Sequence, residues 1–288
     1  MIAAHTKVNN YLNLVKFSHT IFAMPFSIIG YFLAVNQGAS FDWVKLFLVV
    51  TCMVFARNAA MAFNRYADRE IDLKNPRTAI REIPQGIIRP GSALKFVLLN
   101  SSAFIITTYL INRITFYLSP VALFVILVYS LTKKFTTLCH FVLGLGLSLA
   151  PIGAYLAMVG KFAWLPLIFS FIVLFWVSGF DIIYALQDEE FDKTENLRSI
   201  PAHLGIKQAI LLSSVIHIFS AIFVILAGLT GHFNIWYWTG AVLFVSLLFY
   251  QHILIKSDDL SKLNQAFFTS NGIASLVFAI FTILSLTL

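Results

Sequence analysis

Three oxygen-bearing side chains recur at every fourth position in the stretch Asn64-Arg65-Tyr66-Ala67-Asp68-Arg69-Glu70-Ile71-Asp72, namely Asn64, Asp68 and Asp72. On a helix that spacing places them on one face, drifting only about 40° per step. A second stretch, Gln187-Asp188-Glu189-Glu190-Phe191-Asp192, repeats the step with Asp188 and Asp192. Oxygen ligands at this spacing suit a hard cation such as Mg²⁺. Arg57, Arg65, Arg69, Lys74, Arg77, Arg81 and Arg89 surround the first stretch, and Lys193 and Arg198 follow the second. Carboxylates among so many cations describe a metal held together with a phosphorylated ligand, the metal bridging Asp and phosphate oxygens.

The elements that must hold these residues are membrane helices. Of the 288 residues, 59% are hydrophobic and only 11% charged, against about 25% charged in soluble domains. Nine apolar runs approach the length needed to cross a bilayer, near 17–36, 44–63, 94–112, 115–131, 138–159, 163–184, 208–228, 236–255 and 266–287. The reading is an all-α polytopic membrane bundle of about nine transmembrane helices, a single domain over 1–288. The N-terminus shows no small-residue cleavage site, so the first apolar stretch is expected to be kept as a span.

Lys and Arg fall almost entirely on one side of these spans. Only Lys45, Arg113 and Lys161 lie on the other, of 20 in all. The positive-inside rule therefore places the N-terminus and both acidic stretches in the cytoplasm. The net charge of +7 resides in short loops between spans and is accompanied by no nucleic-acid-binding motif, so no nucleic acid partner is expected. Ten of the 13 acidic residues lie in two segments, Asp68 to Glu82 and Asp181 to Glu195. A metal and phosphate site at a membrane face fits a ligand with a diphosphate head and a lipid tail. The corresponding chemistry is departure of diphosphate from an allylic carbon, with metal and basic groups stabilising the leaving group and aromatic rings facing the carbocation.

These residues together resemble the UbiA superfamily of intramembrane prenyltransferases, and most closely its 4-hydroxybenzoate polyprenyltransferase-like members. The first and second aspartate-rich motifs carry the resemblance, with Arg57 upstream, Asn75-Pro76-Arg77-Thr78 and Arg81-Glu82-Ile83-Pro84 after the first, and Asp181-Ile182-Ile183-Tyr184-Ala185-Leu186-Gln187 before the second. It implies a bundle around a cavity open laterally to lipid. It further implies that Asn64, Asp68, Asp72, Asp188 and Asp192 hold two Mg²⁺ and, through them, a polyprenyl diphosphate. Arg57, Arg77 and Lys134 are the candidates for direct diphosphate contact. Asp181 and Tyr184 would place the acceptor or steady the cation. The expected reaction is transfer of a polyprenyl group to a small aromatic acid in quinone biosynthesis. A 4-hydroxybenzoate-type acceptor is the first choice and a naphthoate precursor of menaquinone the alternative. The expected location is a bacterial inner membrane.

Two other classes compete. An ion-coupled secondary transporter would place its ionisable groups near mid-membrane, whereas these cluster at one face. A phosphatidyl-alcohol transferase would show closely packed Asp residues followed by Gly, which are missing. Cys52 and Cys139 have no ligand spacing and read as buried bystanders. His19, His140, His217 and His252 stand singly in the sequence and read as packing or interface residues. Ser18-His19-Thr20 is the stretch of that group which the N-terminus could bring near the site. Asp258-Asp259 reads as solvated loop.

Overall fold

A computed structural model describes residues 9–16 and 24–288, and every regular element among them that can be named is helical. In chain order these are α1 (Met24–Asn36), α2 (Trp43–Ala67), α3 (Arg69–Lys74), α4 (Pro90–Ile111), α5 (Arg113–Thr132) and α6 (Cys139–Val159). There follow α7 (Trp164–Ala185), α8 (Glu189–Thr194), α9 (Ile200–Leu204), α10 (Ile206–Thr230), α11 (Ile235–Leu254) and α12 (Asn271–Thr287). Among the described residues eight helices are long and apolar enough to cross a membrane; α1 is apolar but shorter, with 13 residues. The expected count of about nine thus corresponds to eight crossing helices plus one short one. Residues 17–23 of the anticipated opening span, with Ser18-His19-Thr20, lie outside the described residues.

Several turns between crossings are closed by a short polar side chain. Asp42 accepts the Val44 and Lys45 N–H groups at the start of α2 (2.8 and 3.1 Å), satisfying two of the four donors a helix start leaves unpaired. Asn112 joins α4 to α5: its carbonyl oxygen accepts from Thr115 N–H, and its amide donates to the Leu156 and Ala157 carbonyls at the end of α6. The starts of α2, α7 and α11 carry Trp43, Trp164 and Trp236, all partly or largely exposed and all at the end of the bundle opposite the acidic segments. Tryptophan collects at the membrane–water boundary because its ring is amphipathic.

The core is aromatic. Trp176, Phe169, Phe244, Phe278 and Phe26 are fully buried where α1, α7, α11 and α12 meet. Between α6 and α7 the backbones come close because Gly144 has no side chain: a Cβ there would collide with the Leu174 carbonyl and the Ser178 hydroxyl. Gly30 likewise lets α1 approach the Pro151 carbonyl of α6. The α6–α7 pair therefore forms the spine against which α2, α4 and α5 close on one side and α10 to α12 on the other.

α12 begins with a π-helical stretch, Gln265–Ser270, which the sequence did not disclose. The Asn271 amide donates to the carbonyls of Ala266 and Phe267 (3.1 and 3.0 Å) and to Gln251 Oε1 (3.2 Å), while its oxygen accepts the Trp176 indole N–H (2.8 Å). His217 and His252, single in sequence, meet at 2.7 Å beside this cluster, and His217 also contacts the Trp176 carbonyl. In hydrocarbon every such group needs an internal partner, and here they supply one another. Gly144→Ala should push α6 from α7 and cost about 1–3 kcal/mol, read by thermal unfolding in detergent micelles.

Candidate active site

The α2 helix ends in the first acidic motif. Asp68 departs from helical geometry (φ −95°, ψ 3°) and α3 starts anew at Arg69, so the three residues do not share one unbroken helix as the spacing suggested. The four-residue hydrogen bonds nevertheless run on through the break, Asp68 N–H to the Asn64 carbonyl and Asp72 N–H to that of Asp68. The side chains therefore stay in line, and Asn64 Nδ2 donates to Asp68 Oδ2 (3.1 Å). The second motif is built alike. A 3₁₀ turn, Leu186–Asp188, follows α7, and Asp188 sits at φ −106°, ψ 7° before α8. Both aspartates occupy the sparsely allowed bridge region where turns and functional residues collect.

Residues just after the first motif reach across to the second. Arg77 grips Asp188 with two bonds, Nε at 3.0 Å and a terminal nitrogen at 2.5 Å, and its other terminal nitrogen reaches the Tyr184 hydroxyl (3.3 Å). Asn75 donates to Asp188 as well (3.0 Å), and Lys74 pairs with Glu195 (2.6 Å). The two motifs thus face each other at one end of the bundle. Burial works against the charge of Arg77, but its bonds to Asp188 outweigh that and hold the guanidinium above its ordinary pKa.

Each remaining acid has a neighbour. Arg81 bonds Asp72 Oδ1 (2.6 Å). Lys133 lies 4.0 Å from Asp68 Oδ2, while its neighbour Lys134, chosen from sequence, is exposed and donates to the Ala67 carbonyl (3.2 Å). Asp192 is buried, with Ser199 beside it. Asp181, one turn deeper in α7 than Tyr184, takes a bond from His140. Burial pushes the Asp68 carboxyl above the usual carboxylate range, with Lys133 pulling against it.

Among the described residues no three His, Cys, Asp or Glu side chains are gathered as a closed metal cage; the carboxylates are held apart by Arg77, Arg81, Asn64 and Asn75. The donors and acceptors left over are informative. Among the described residues Asp68 Oδ1 and Asp72 Oδ2 are buried without a partner, and so are the Nε groups of Arg57 and Arg65. Unpaired buried polar atoms are costly and rare. Two anionic oxygens beside two cationic N–H groups match a divalent cation and an anionic oxygen ligand together, so the residues present fit Mg²⁺.

Arg57 lies two turns before Asn64 on α2 and opens onto a cavity of about 350 Å³. Val49, Met53, Phe104, Leu118, Ile126 and Leu147 represent its almost wholly apolar wall between α2, α4, α5 and α6. Cys52 lines it too and is half-buried, as is Cys139, so neither is a fully buried bystander. Tyr129 closes the polar end, within electrostatic reach of Arg57, Arg65 and Asp68. The sequence reading passed over Tyr129, gave Lys133 and Asn75 no site role of their own, and took His140 for a packing or interface residue. A tyrosine four residues before a lysine at a helix end was the available signal for the first two. Asp258 and Asp259 are exposed, as expected of solvated loop.

A profile of the UbiA prenyltransferase family matches residues 23–273. The chain belongs to that family. Among its relatives, the 4-hydroxybenzoate octaprenyltransferase of Aliivibrio fischeri strain MJ11 is 30% identical over 242 residues, 82% of each chain. The enzyme of that name from Coxiella burnetii strain CbuK_Q154 is 27% identical over 286 residues, 96% of this chain and 97% of the relative. A UbiA homolog from Aeropyrum pernix K1, solved in its apo form, superposes with a TM-score of 0.84 at 28% identity, covering 93% of this chain and 98% of the other. A UbiA homolog from Archaeoglobus fulgidus, bound to GPP and Mg²⁺, gives 0.74 at 20% identity over 97% and 100%, a likeness of fold. This UbiA member is thus an integral membrane enzyme, a prenyltransferase, and the transporter reading finds no support.

The pairing pattern ranks the ion pairs. Arg81→Ala would strand the 5%-exposed Asp72 side chain and should cost about 3–5 kcal/mol. Lys74→Ala, at a pair 60% and 26% exposed, should cost under about 1 kcal/mol. Chemical unfolding of the metal-free protein in mixed micelles measures both.

Proposed function

We propose that this protein transfers a polyprenyl group from its diphosphate to a ring carbon of a 4-hydroxybenzoate-type acid, with Mg²⁺, as a step of quinone biosynthesis. The observation that carries the proposal is the set of charged buried atoms without a partner among the described residues, Asp68 Oδ1, Asp72 Oδ2, Arg57 Nε and Arg65 Nε, with Arg57 itself lining an apolar chamber suited to a lipid tail. The names of the relatives and the Mg²⁺-bound homolog support the same reading.

In this reading Asn64, Asp68, Asp72, Asp188 and Asp192 would hold the metal. Bound Mg²⁺ would neutralise the charge that gathers on the departing diphosphate. Arg57 and Arg77 bind and orient the diphosphate, with Lys134 and Lys133 at its outer edge. The chamber walls keep water from the prenyl chain, which would otherwise capture the carbocation. Tyr184 stacks on Phe267 (4.1 Å between ring centres) and carries the Arg77 guanidinium over its own face. These contacts fix the ring where the diphosphate and acceptor sites would meet. Asp181 faces the acceptor. The basic end of the bundle lies in the cytoplasm, the tryptophan end on the far side, in a bacterial inner membrane, and residues 1–288 act as one domain.

Purified protein with Mg²⁺, a prenyl diphosphate and a panel of hydroxybenzoates and hydroxynaphthoates should release diphosphate and form product with one acid class. A naphthoate as the preferred substrate would move the assignment to menaquinone synthesis. Asp68→Ala and Asp188→Ala should each lower turnover by at least about 10²–10³-fold in protein that still elutes as a folded species. Wild-type rates in both would sink the metal assignment.

A further inference from the structure

The His140–Asp181 pair belongs to neither the metal set nor the diphosphate set. The close approach of α6 and α7 at Gly144 and Ser178 puts His140, one turn from Gly144, opposite Asp181, one turn from Ser178. The distance from His140 Nδ1 to Asp181 Oδ2 is 2.7 Å. The imidazole is buried, with 3% of its side chain exposed, whereas 23% of the Asp181 side chain remains accessible.

The other ring nitrogen settles the tautomer. His140 Nε2 accepts the backbone N–H of Ile200 (3.3 Å), the first residue of α9, just after Ser199 caps that helix. A nitrogen that accepts carries no proton, so the proton of the neutral ring sits on Nδ1 and is donated to Asp181. Oδ2 is thereby committed. Among the described residues Oδ1 of Asp181 has no hydrogen-bond partner, and it lies one helical turn inward from Tyr184, which contacts Arg77.

We propose that His140 is a positioning residue for the transfer reaction: it fixes Asp181 so that Oδ1 receives the proton displaced from the acceptor ring. The inference rests on the prenyltransferase reading above and extends it. In the step itself the allylic C–O bond breaks and its electron pair leaves on diphosphate. A π pair of the ring forms the new C–C bond. The ring C–H pair then returns to the ring as its proton passes to Asp181 Oδ1, and from there to water at the mouth of the site. His140 gains and loses no proton. Its part is to hold one oxygen so that the other points at the ring, and Ile200 N–H keeps the imidazole from turning.

The test compares wild type, His140→Ala, His140→Asn and Asp181→Asn with Mg²⁺, geranyl diphosphate and 4-hydroxybenzoate, either protiated or fully ring-deuterated. Asparagine places an amide N–H close to where Nδ1–H stood. His140→Ala should lower kcat about 10²-fold, leave the KM for geranyl diphosphate unchanged, and reveal a primary deuterium isotope effect as proton removal becomes limiting. His140→Asn should recover most of the rate and suppress the isotope effect. Asp181→Asn, which retains a partner for His140 and so protects folding, should behave as His140→Ala does.

Equal losses in His140→Ala and His140→Asn with no isotope effect would show a purely structural histidine and overturn the proposal. So would wild-type kcat in either His140→Ala or Asp181→Asn. If His140→Ala does not fold, the Asn variants decide on the same criteria. Absence of product from wild type with any acid would instead defeat the prenyltransferase assignment, so the two failures are told apart.

Discussion

A negative charge at the edge of hydrocarbon persists only beside something that answers it. The polar end of this bundle is organised around that requirement. Asp188 is answered by Arg77 and Asn75, Asp72 by Arg81, Asp68 by Asn64 and Lys133, and Asp181 by His140. Because Arg77 and Asn75 follow the first acidic segment and Asp188 belongs to the second, satisfying the charges also docks the two segments. The charged groups left with an unanswered atom among the described residues, two carboxylate oxygens and two arginine nitrogens, mark the place where ligand charge is to arrive.

The rest of the molecule can be understood as support for that docking. The glycine contact between α6 and α7 sets the depth at which Asp181 and His140 meet. The aromatic packing of Trp176, Phe244 and Phe278 keeps α7 rigid below the site. On the opposite flank α2, α4 and α5 pack loosely enough to leave an apolar chamber. Rigidity lies under the charges and space lies under the tail.

Much of this was legible in the sequence because it is periodic. Apolar runs of membrane length and oxygen ligands at four-residue steps both report helical geometry, and the asymmetry of Lys and Arg separates the two ends. The hidden parts depend on contacts between distant residues. The four-residue step from Tyr129 points to Lys133, but it is the turn at the end of α5 that sets Lys133 beside Asp68 and Lys134 on the Ala67 carbonyl. The break at Asp68 left the four-residue bonding intact, so the pattern looked continuous. His140 meets Asp181 across 41 residues, and single histidines in sequence give no sign of such a pairing. His217 and His252, also single, proved to be bonded to each other.

The π-helical stretch at the head of α12 carries a consequence for how this chain can vary. Gln265–Ser270 holds a wider turn than the helix that follows, and Asn271 occupies the carbonyls so freed. Deleting one residue between 265 and 270 would return the backbone to ordinary winding and swing everything before it by about 100°. Phe267 would then leave the face of Tyr184, and Asn271 would lose its acceptors. Length changes in the loop of residues 256–262 have no such lever. Insertions and deletions should therefore accumulate on the loop side of residue 265 and be purged within the six residues after it.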